Sequence, residues 1–444
     1  MRRLTQHPAR LVPLAFLVTI TIGTLVMMLP AARAGEGHAP FLTALFTATS
    51  AICVTGLTVV DTATYWSGFG HVMITTLTQI GCFGIITAAT LLTLTVSHRM
   101  GIRTRLLAQA EGRSLGLANV KQVLIRVAVT MLIAESIIAV VLAARWFFAY
   151  DLGFFEALWE GVFHAVSSFN NAGFSLYSDS LNGFVGDWWI CVPITLGVIA
   201  GSVGFPVLFE LARQLRRPAR WSTHTRLTVM GTIALLIIGF GAVLGFEWTN
   251  PLTFGGLSVE EKVLAAFTQG SMPRSGGFSS VNIGDMRLET LCLIIAMMFI
   301  GGGSAGTAGG IKLTTFLLLA YVIWAEVKGE QDVVIGRRRI ADAVQRQALA
   351  VALLGVAIVA FGTLGLVILT PDVTLVNALF EVTSAFATVG LSTGITGDLP
   401  GQSQTLLVVL MFVGRVGTIA VASALALTSR PRNYRYPEER PIVG

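Results

Sequence analysis

The chain contains 444 residues, of which 54% are hydrophobic and only 12% are charged, and its mean hydropathy is +0.75. A soluble core of this length cannot bury so much apolar surface, so composition excludes a soluble protein and places the chain in a lipid bilayer. The net charge of +6 comes from basic residues spread over several short loops, a pattern that follows from membrane topology and does not indicate a nucleic-acid partner. The four cysteines lie in apolar stretches without CxxC spacing and are expected to be reduced packing residues.

Eight apolar stretches are predicted to cross the bilayer. Six contain no Asp, Glu, Lys or Arg and reach the roughly 20 residues that a helical span needs; they are 11–32, 62–98, 188–209, 227–246, 290–311 and 347–371. Two weaker spans are 124–148, interrupted by Glu135, and 399–429, interrupted by Arg415. The first stretch follows Arg2, Arg3 and Arg10, but it exceeds the roughly 7–15 apolar residues of a secretory signal and is expected to be a retained helix.

Four shorter segments repeat one another between the members of each pair of spans. They are 41–58, 157–175, 263–279 and 376–392, and each is predicted to be a short helix that stops at a glycine turn. Aligned on Gly56, Gly173, Gly277 and Gly390, successive glycines lie 117, 104 and 113 residues apart. The chain is therefore predicted to be an all-α integral membrane protein of four tandem units, 1–111, 112–222, 223–340 and 341–444, with eight transmembrane spans and four re-entrant half-helices around one pseudo-fourfold pore.

The basic residues predict the orientation of the chain. The N-terminus, the stretches 99–126, 213–226 and 328–346, and the tail after Leu427 carry 23 of the 30 Lys and Arg residues, so both termini are expected to be cytoplasmic. The opposite segments are predominantly acidic, which follows from the exclusion of basic residues and would also concentrate cations at an outer mouth. All four glycine turns then meet at the outer side, and the half-helices direct partial negative charge into the cavity behind them.

A second glycine-rich segment, GGGSAGTAGGIK at 301–312, interrupts the stretch where the second helix of the third unit should be continuous. It matches both G-x-G-x-x-G and G-x-S-x-G, but the chain shows neither the βαβ unit of a nucleotide site nor the Ser-Asp-His set of a hydrolase. Two interpretations stay open. The segment is either an intramembrane loop or a close-packed glycine interface between helices. Lys312 closes it and is expected to extend towards the cytoplasmic side.

Arg415, in VGRVGTI, is an ionisable residue inside a predicted span. A charge near the middle of a bilayer costs at least roughly 2.5–3.5 kcal/mol unless it is paired, so such residues are functional by default. Arg415 is therefore predicted either to have a function within the membrane or to form a structural ion pair with Glu135 or another carboxylate. Glu135 itself has no predicted role.

The four glycine motifs carry a resemblance to the Ktr/Trk/HKT potassium-transporter superfamily. They are V-T-G-L at 54–57, N-A-G-F at 171–174, S-G-G-F at 275–278 and T-V-G-L at 388–391, each similar to a reduced potassium-channel filter. The resemblance covers nearly the whole chain and implies four repeats of an outer helix (M1), a pore helix and a second helix (M2). It implies a selectivity filter of Val54, Thr55, Gly56, Asn171, Ala172, Gly173, Ser275, Gly276, Gly277, Thr388, Val389 and Gly390, with potassium at the four aligned glycines.

The same resemblance implies a gate. In this family an intramembrane loop under the filter obstructs the pore and moves to open it, close to an arginine of the last helix. The matching residues here are Gly301, Gly302, Gly303, Ser304, Gly306, Thr307, Gly309, Gly310, Lys312 and Arg415. Gly56 stands where some sodium-selective plant relatives carry serine, which favours potassium. The absence of two extra N-terminal helices makes the chain similar to Ktr-type membrane subunits.

A Ktr-like chain is expected to form a homodimer in the prokaryotic plasma (inner) membrane, seated on a cytosolic KtrA/TrkA-like RCK ring that binds nucleotide. No nucleotide is expected on this chain. The predicted function is potassium uptake down its electrochemical gradient, with activation by Na+ left open. A sodium- or proton-coupled carrier that works by alternating access is the alternative. A non-transporting membrane scaffold is disfavoured, because it would not explain four inward-turned glycine segments. No enzymatic activity is predicted.

Overall fold

The computed structural model describes residues 8–98, 117–336 and 338–417. This part of the chain is almost entirely helical. Its α-helices are α1 (Pro8–Met27), α2 (Phe41–Ile52), α3 (Thr62–Tyr65), α4 (Gly68–His98), α5 (Leu117–Ala149), α6 (Phe154–Phe169), α7 (Trp188–Val203), α8 (Phe205–Gln214), α9 (Thr223–Glu247), α10 (Val259–Ser271), α11 (Leu288–Phe299), α12 (Leu313–Lys328), α13 (Asp342–Leu369), α14 (Leu375–Ala387) and α15 (Gly401–Phe412). A π-helical turn, Val413–Gly417, continues α15.

A two-stranded antiparallel hairpin is the one β-sheet in the described ranges, isolated bridges aside. It pairs β1 (Val334–Ile335) with β2 (Arg338–Arg339), with Val334 opposite Arg339 and Ile335 opposite Arg338. The hairpin joins α12 to α13, in the stretch that the basic residues assign to the cytoplasm. The predicted cytoplasmic stretch 99–126 lies mostly outside the described residues, as do Arg337 and the tail after Leu427.

Among the residues that the structure describes, three helices are long and apolar enough to cross a membrane: Lys121–Ala149 within α5, then α9 and α13. Each turns large apolar side chains outward, for example Ile137 at 61% exposure, Ile237 at 64% and Ile368 at 67%. Apolar side chains are stable in such positions when the surroundings are hydrocarbon. The bent pair α7 and α8 would count as a fourth span, so the full set of eight spans stays a prediction.

The predicted span 188–209 is wrong as a single helix. It ends at Val203, and α8 leaves at an angle of 101°. Gly204 at the corner has φ +99°, a conformation that a residue with a Cβ adopts only under strain, and Pro206 follows in the first turn of α8. The local sequence Gly-Phe-Pro therefore ends one helix and starts the next.

The apolar core of the described residues divides into two large clusters of buried side chains and one small one. The first is built mainly from α5 to α11, and the second from α1 to α4 together with α13 to α15. The small cluster contains Leu318, Ile335 and Ala348, beside the hairpin. The ends of α2, α6, α10 and α14 are buried within these clusters. This packing brings the four predicted glycine turns to the centre of the molecule, where the candidate site lies.

Candidate functional site

Each of the four glycine segments contains two residues in the left-handed backbone region. The first is a residue with a side chain, at φ 55° for Val54, 61° for Asn171, 67° for Ser275 and 48° for Thr388. The second is the aligned glycine two positions later, at φ 89°, 73°, 74° and 92° in Gly56, Gly173, Gly277 and Gly390. Left-handed residues other than glycine are uncommon and strained. Finding one at the same position of all four segments indicates that each segment takes the same unusual conformation.

The four glycines lie against one another in a closed ring. A Cβ added to Gly173 would lie 2.6 Å from the Cα of Gly277, and one added to Gly56 would lie 3.2 Å from the Cα of Gly173. A Cβ on Gly390 would lie 3.2 Å from the Cα atoms of both Gly277 and Gly56. The neighbours follow chain order and the fourth returns to the first. No side chain fits at any of these four positions without displacing backbone.

Backbone carbonyl oxygens fill the spaces between these glycines. Each comes from the residue before the aligned glycine of a neighbouring segment, in the same cyclic order. The oxygen of Val389 would lie 2.8 Å from a Cβ on Gly277, and the oxygen of Gly276 would lie 3.2 Å from a Cβ on Gly173. The oxygens of Thr55 and Ala172 would overlap a Cβ on Gly390 and Gly56, respectively. The ring thus offers one carbonyl oxygen from each segment, the type of ligand that replaces the hydration shell of a monovalent cation.

A serine lies six residues before each aligned glycine and bonds to the turn in three of the four segments, and sequence reasoning missed it. The pattern Phe-x3-Ser-x5-Gly occurs in all four segments, with Ser50, Ser167, Ser271 and Ser384. Ser50 Oγ accepts a hydrogen bond from Gly56 N at 3.0 Å, and Ser384 Oγ accepts the equivalent bond from Gly390 N at 3.2 Å. Ser167 instead donates to the oxygen of Phe174 at 2.7 Å, and Ser271 to the oxygen of Phe267 in its own helix at 2.7 Å. The repeat was readable as a shared spacing.

In the second and fourth units, the residue nine positions before the aligned glycine bonds to the stretch of chain that follows that glycine. His164 Nε2 lies 3.2 Å from Ser175 Oγ. Glu381 accepts hydrogen bonds from Ser392 Oγ at 2.6 Å and from Thr393 N at 3.0 Å. Glu381 is fully buried. Its carboxylate fixes the chain after the fourth glycine.

The 301–312 segment lies between α11 and α12, against the side of the ring where the four short helices end. Thr307 Oγ1 donates to Asn171 Oδ1 at 2.6 Å, and Gly309 N donates to Ser275 Oγ at 3.0 Å. A Cβ on Gly309 would overlap Thr388 Oγ1. The segment therefore contacts the left-handed residue of three of the four segments. This geometry agrees with an intramembrane loop and not with a glycine interface between two continuous helices.

The loop also satisfies the backbone groups left free at the break between α7 and α8. Gly303 N donates to the oxygen of Ser202 at 2.8 Å, and Thr307 N donates to the oxygen of Gly201 at 3.2 Å. In return, Phe205 N donates to the oxygen of Ala305 at 3.3 Å. Helix ends leave unpaired N–H and C=O groups, which are costly inside a membrane. The two interrupted helices therefore complete each other through the loop.

The glycines of the loop are needed for this close packing. A Cβ on Gly301 would overlap the oxygen of Gly309, and one on Gly302 would lie 2.6 Å from the Cβ of Ala308. Gly303, Gly306 and Gly310 are confined by backbone in the same way. Ser304 Oγ lies 3.0 Å from Thr314 Oγ1, so its neighbour is a hydroxyl and not the histidine that a hydrolase would need.

Arg415 lies in the π-helical turn and is 3% exposed. Its NH1 group donates to the oxygen of Thr307 at 2.5 Å. The alternative of an ion pair with Glu135 is wrong, because the carboxylate of Glu135 is bound by the amides of Gln79 and Asn170. Within the described residues, Nε and the other terminal nitrogen of Arg415 have no hydrogen-bond partner. A nearly uncompensated positive charge therefore sits on the loop.

Lys312 is partly buried and bonds to the loop, and its expected extension towards the cytoplasmic side stays a prediction. Its Nζ donates to the oxygen of Ala308 at 2.7 Å, so the side chain folds back onto the loop. A loop carbonyl that would otherwise be unpaired explains this conformation, since a lysine ammonium is a strong donor. Two cationic side chains, those of Lys312 and Arg415, therefore donate hydrogen bonds to carbonyl oxygens of the loop.

Residues 6–433 match the family described as TrkH, cation transport protein. The chain is 38% identical over 440 residues to the Ktr system potassium uptake protein B of Bacillus subtilis (strain 168), which covers 98% of this chain and 97% of that protein. It is 34% identical over 402 residues to the Ktr system potassium uptake protein B of Vibrio alginolyticus, with 90% and 88% covered. It is 32% identical over 443 residues to the potassium/sodium uptake protein NtpJ of Enterococcus hirae, with 98% and 97% covered.

The fold is similar to the crystal structure of the potassium transporter TrkH from Vibrio parahaemolyticus. The TM-score is 0.73, and the match covers 94% of this chain and 84% of that one. The sequence identity is 19%, so this likeness concerns the fold alone. The family match spans nearly the whole chain, and the relatives named above are transport proteins, not enzymes. The chain is a multi-pass membrane protein that belongs to the TrkH family of cation transport proteins.

Proposed function

We propose that this chain takes up potassium through a channel-like filter made by its four glycine segments. The observation that carries the proposal is the ring of four backbone carbonyl oxygens, one from each segment, packed against four glycines in chain order. Carbonyl rings of this kind select a dehydrated monovalent cation. Relatives named for potassium uptake support the choice of ion, and the glycine at position 56 supports potassium over sodium.

The 301–312 loop acts as the gate in this proposal. It lies directly against three of the four left-handed residues, and Arg415 is hydrogen-bonded to its backbone. A cation that leaves the ring on this side meets a backbone constriction and a fixed positive charge in a medium of low dielectric constant, where repulsion is poorly screened. Opening then requires the loop and Arg415 to move together.

The proposed topology has four M1–pore helix–M2 units, with cytoplasmic termini and the plasma membrane as location. Each pore helix ends at the ring, so the partial negative charge of its C-terminus faces the cation. A homodimer on a cytosolic nucleotide-binding RCK ring is proposed as the assembly, by similarity to relatives named as parts of a Ktr system. The exposed hairpin at Arg338 and Arg339 offers a cytoplasmic surface for such a partner.

A coupled carrier is the second candidate, because two neighbouring helices are interrupted. Broken helices that meet at mid-membrane also form the substrate sites of secondary transporters. Activation by Na+, without coupled movement, belongs to the first candidate. The candidates differ in what sets the direction of flux, since a pore follows the potassium gradient and a coupled carrier follows the combined gradients in a fixed ratio.

Deletion of residues 303–309 tests the gate. Removing the obstruction is expected to raise potassium uptake per folded dimer and to make it independent of a cytosolic partner. Uptake should be measured in cells without their own potassium uptake, with and without sodium, and normalised to folded protein. The matched control is Gly241→Ser, since Gly241 lies in α9 with open space around it. A fall in normalised uptake after the deletion would contradict a gating role.

A further inference from the structure

An apolar groove opens between α4, α5 and the short helix α6. Its volume is about 710 Å³, within the range of small-molecule sites. Aliphatic and aromatic side chains form most of its wall, among them Val72, Ile80, Leu132, Val140, Trp159 and Val162. The groove belongs neither to the glycine ring nor to the loop, so the proposed pathway does not account for it.

One carboxylate lies in this groove. Glu135 is 6% exposed, and both of its oxygens accept hydrogen bonds from Gln79 Nε2, at 3.1 and 3.0 Å. Asn170 Nδ2 donates to Glu135 Oε1 at 3.0 Å. The donors are neutral amides, and the described part of the chain supplies no cationic side chain to Glu135. A buried carboxylate is costly unless a proton or a cation neutralises it, so a cationic ligand in the groove would stabilise the ionised form of Glu135.

The residue behind the carboxylate, Asn170, does not line the groove. It is fully buried, and its Nδ2 donates to Glu135, to Gln79 and to the backbone oxygen of Val166. An ammonium group carries three N–H donors and one positive charge, which matches the carboxylate of Glu135. The apolar walls match a compact hydrocarbon body. Charge and shape together define a hydrophobic primary amine.

We propose that this groove binds hydrophobic primary amines, with the ammonium on Glu135 and the hydrocarbon body against the walls. The ammonium supplies a positive counter-charge for the carboxylate of Glu135, and burial of the hydrocarbon body supplies the remaining affinity. A neutral molecule of the same shape gains only the second contribution. Selectivity for the amine over its alcohol is therefore the signature of the site.

We expect a bound amine to affect the candidate filter and gate. Asn170, which binds Glu135, directly precedes Asn171, the left-handed residue of the second segment. Asn171 Oδ1 accepts from Thr307 at 2.6 Å, and the oxygen of Thr307 accepts from Arg415 at 2.5 Å. Hydrogen bonds on either side of the peptide bond between Asn170 and Asn171 thus connect the groove to the loop. Occupancy is expected to change ion flux without blocking the ring itself.

Binding of radiolabelled 1-adamantylamine to the full chain in lipid nanodiscs tests the proposal, with empty nanodiscs as background and 1-adamantanol as the neutral match. The amine should bind at least about tenfold more tightly than the alcohol, the factor expected for one charge-assisted hydrogen bond. Glu135→Gln keeps the shape and should remove that preference. Val140→Trp should fill the groove and abolish binding, whereas Ile237→Trp, on the outward face of α9, should leave it unchanged. This assay needs no transport, so its failure is separate from failure of the proposed function.

Three results would overturn the proposal. Equal binding of amine and alcohol would show that an acyl chain or any apolar molecule occupies the groove. Unchanged amine affinity in a folded Glu135→Gln protein would remove the carboxylate from the site. Disulfide cross-linking between two copies through Ser136→Cys, at the groove wall, would show that a second copy covers the groove in place of a ligand.

Discussion

The side-chain hydroxyl of Thr307 donates a hydrogen bond of 2.6 Å to the side-chain oxygen of Asn171. Residue 307 belongs to the glycine-rich loop, and residue 171 is the left-handed residue of the second glycine segment, 136 positions earlier. The backbone oxygen of the same threonine accepts from Arg415. Thr307 thereby connects the loop to the glycine ring and to the buried guanidinium of Arg415. Separate substitutions of Thr307 and Arg415 therefore measure the contribution of each contact.

Thr307→Val keeps the shape of the side chain and removes the bond to Asn171. A hydrogen bond contributes about 1 kcal/mol net, which corresponds to about a fivefold increase in the population of the displaced loop. Potassium uptake per folded dimer should rise by a similar factor. Thr314→Val, which removes the contact between loop residue Ser304 and α12, is the matched control and should have the smaller effect. Equal effects would indicate general loosening of the loop.

Arg415→Gln removes the charge and retains a donor for the oxygen of Thr307. Hydrogen bonds to charged groups contribute about 1.5–3 kcal/mol, so flux is expected to increase by about tenfold or more. Arg415→Lys keeps the charge and should stay close to the unchanged protein. Flux through both variants should be compared at matched amounts of folded dimer. A charge that merely stabilised the fold would reduce folded protein in Arg415→Gln without raising normalised flux.

Gly204→Ala tests the corner between α7 and α8. The backbone there has φ +99°, and a Cβ would lie 2.6 Å from the oxygen of Ser304. The substitution should cost about 1–3 kcal/mol through backbone strain and should also displace the loop. A lower melting temperature together with altered flux is expected. Gly245→Ala, in α9 with nothing within 4 Å, should change neither; a normal melting temperature for Gly204→Ala would contradict the strained corner.

Ser50→Ala should weaken the first glycine turn. It leaves the N–H of Gly56 without its partner at 3.0 Å, and an unsatisfied buried donor costs about 1–3 kcal/mol. Discrimination between potassium and sodium should fall as the turn relaxes. Ser271→Ala is the internal control, since this serine bonds only to its own helix at Phe267. Ion competition in uptake assays measures both variants, and equal selectivity loss would deny the serine a role in the turn.

Local features were predictable from the sequence to different degrees. The glycine turns could be found because Gly56 and its three counterparts share their spacing and the residues before them. The serine support was equally readable, since Ser50 and its counterparts keep a constant distance from those glycines. The proline two positions after Gly204 was also a signal for the corner. The corner was missed because the span was predicted from its apolar length and lack of charge, and that criterion does not detect a bend.

Contacts between distant parts of the chain could not be predicted in the same way. Glu135 finds its partners at Gln79, 56 positions away, and at Asn170, 35 positions away. No periodicity relates these residues, because helix packing brings them together. The bond from Lys312 to the oxygen of Ala308 likewise depends on how the loop folds, which the glycine pattern alone does not specify.

The reversal potential of the purified protein in a planar bilayer, with opposed potassium and sodium gradients, tests the central claim most directly. A carbonyl ring around one axis predicts that the reversal potential of the unchanged protein follows the potassium gradient alone. Gly56→Ser should move that potential towards the sodium value, because a Cβ there overlaps the oxygen of Ala172. A reversal potential set by a fixed ratio of potassium to sodium or protons, unaffected by Gly56→Ser, would contradict the selectivity filter.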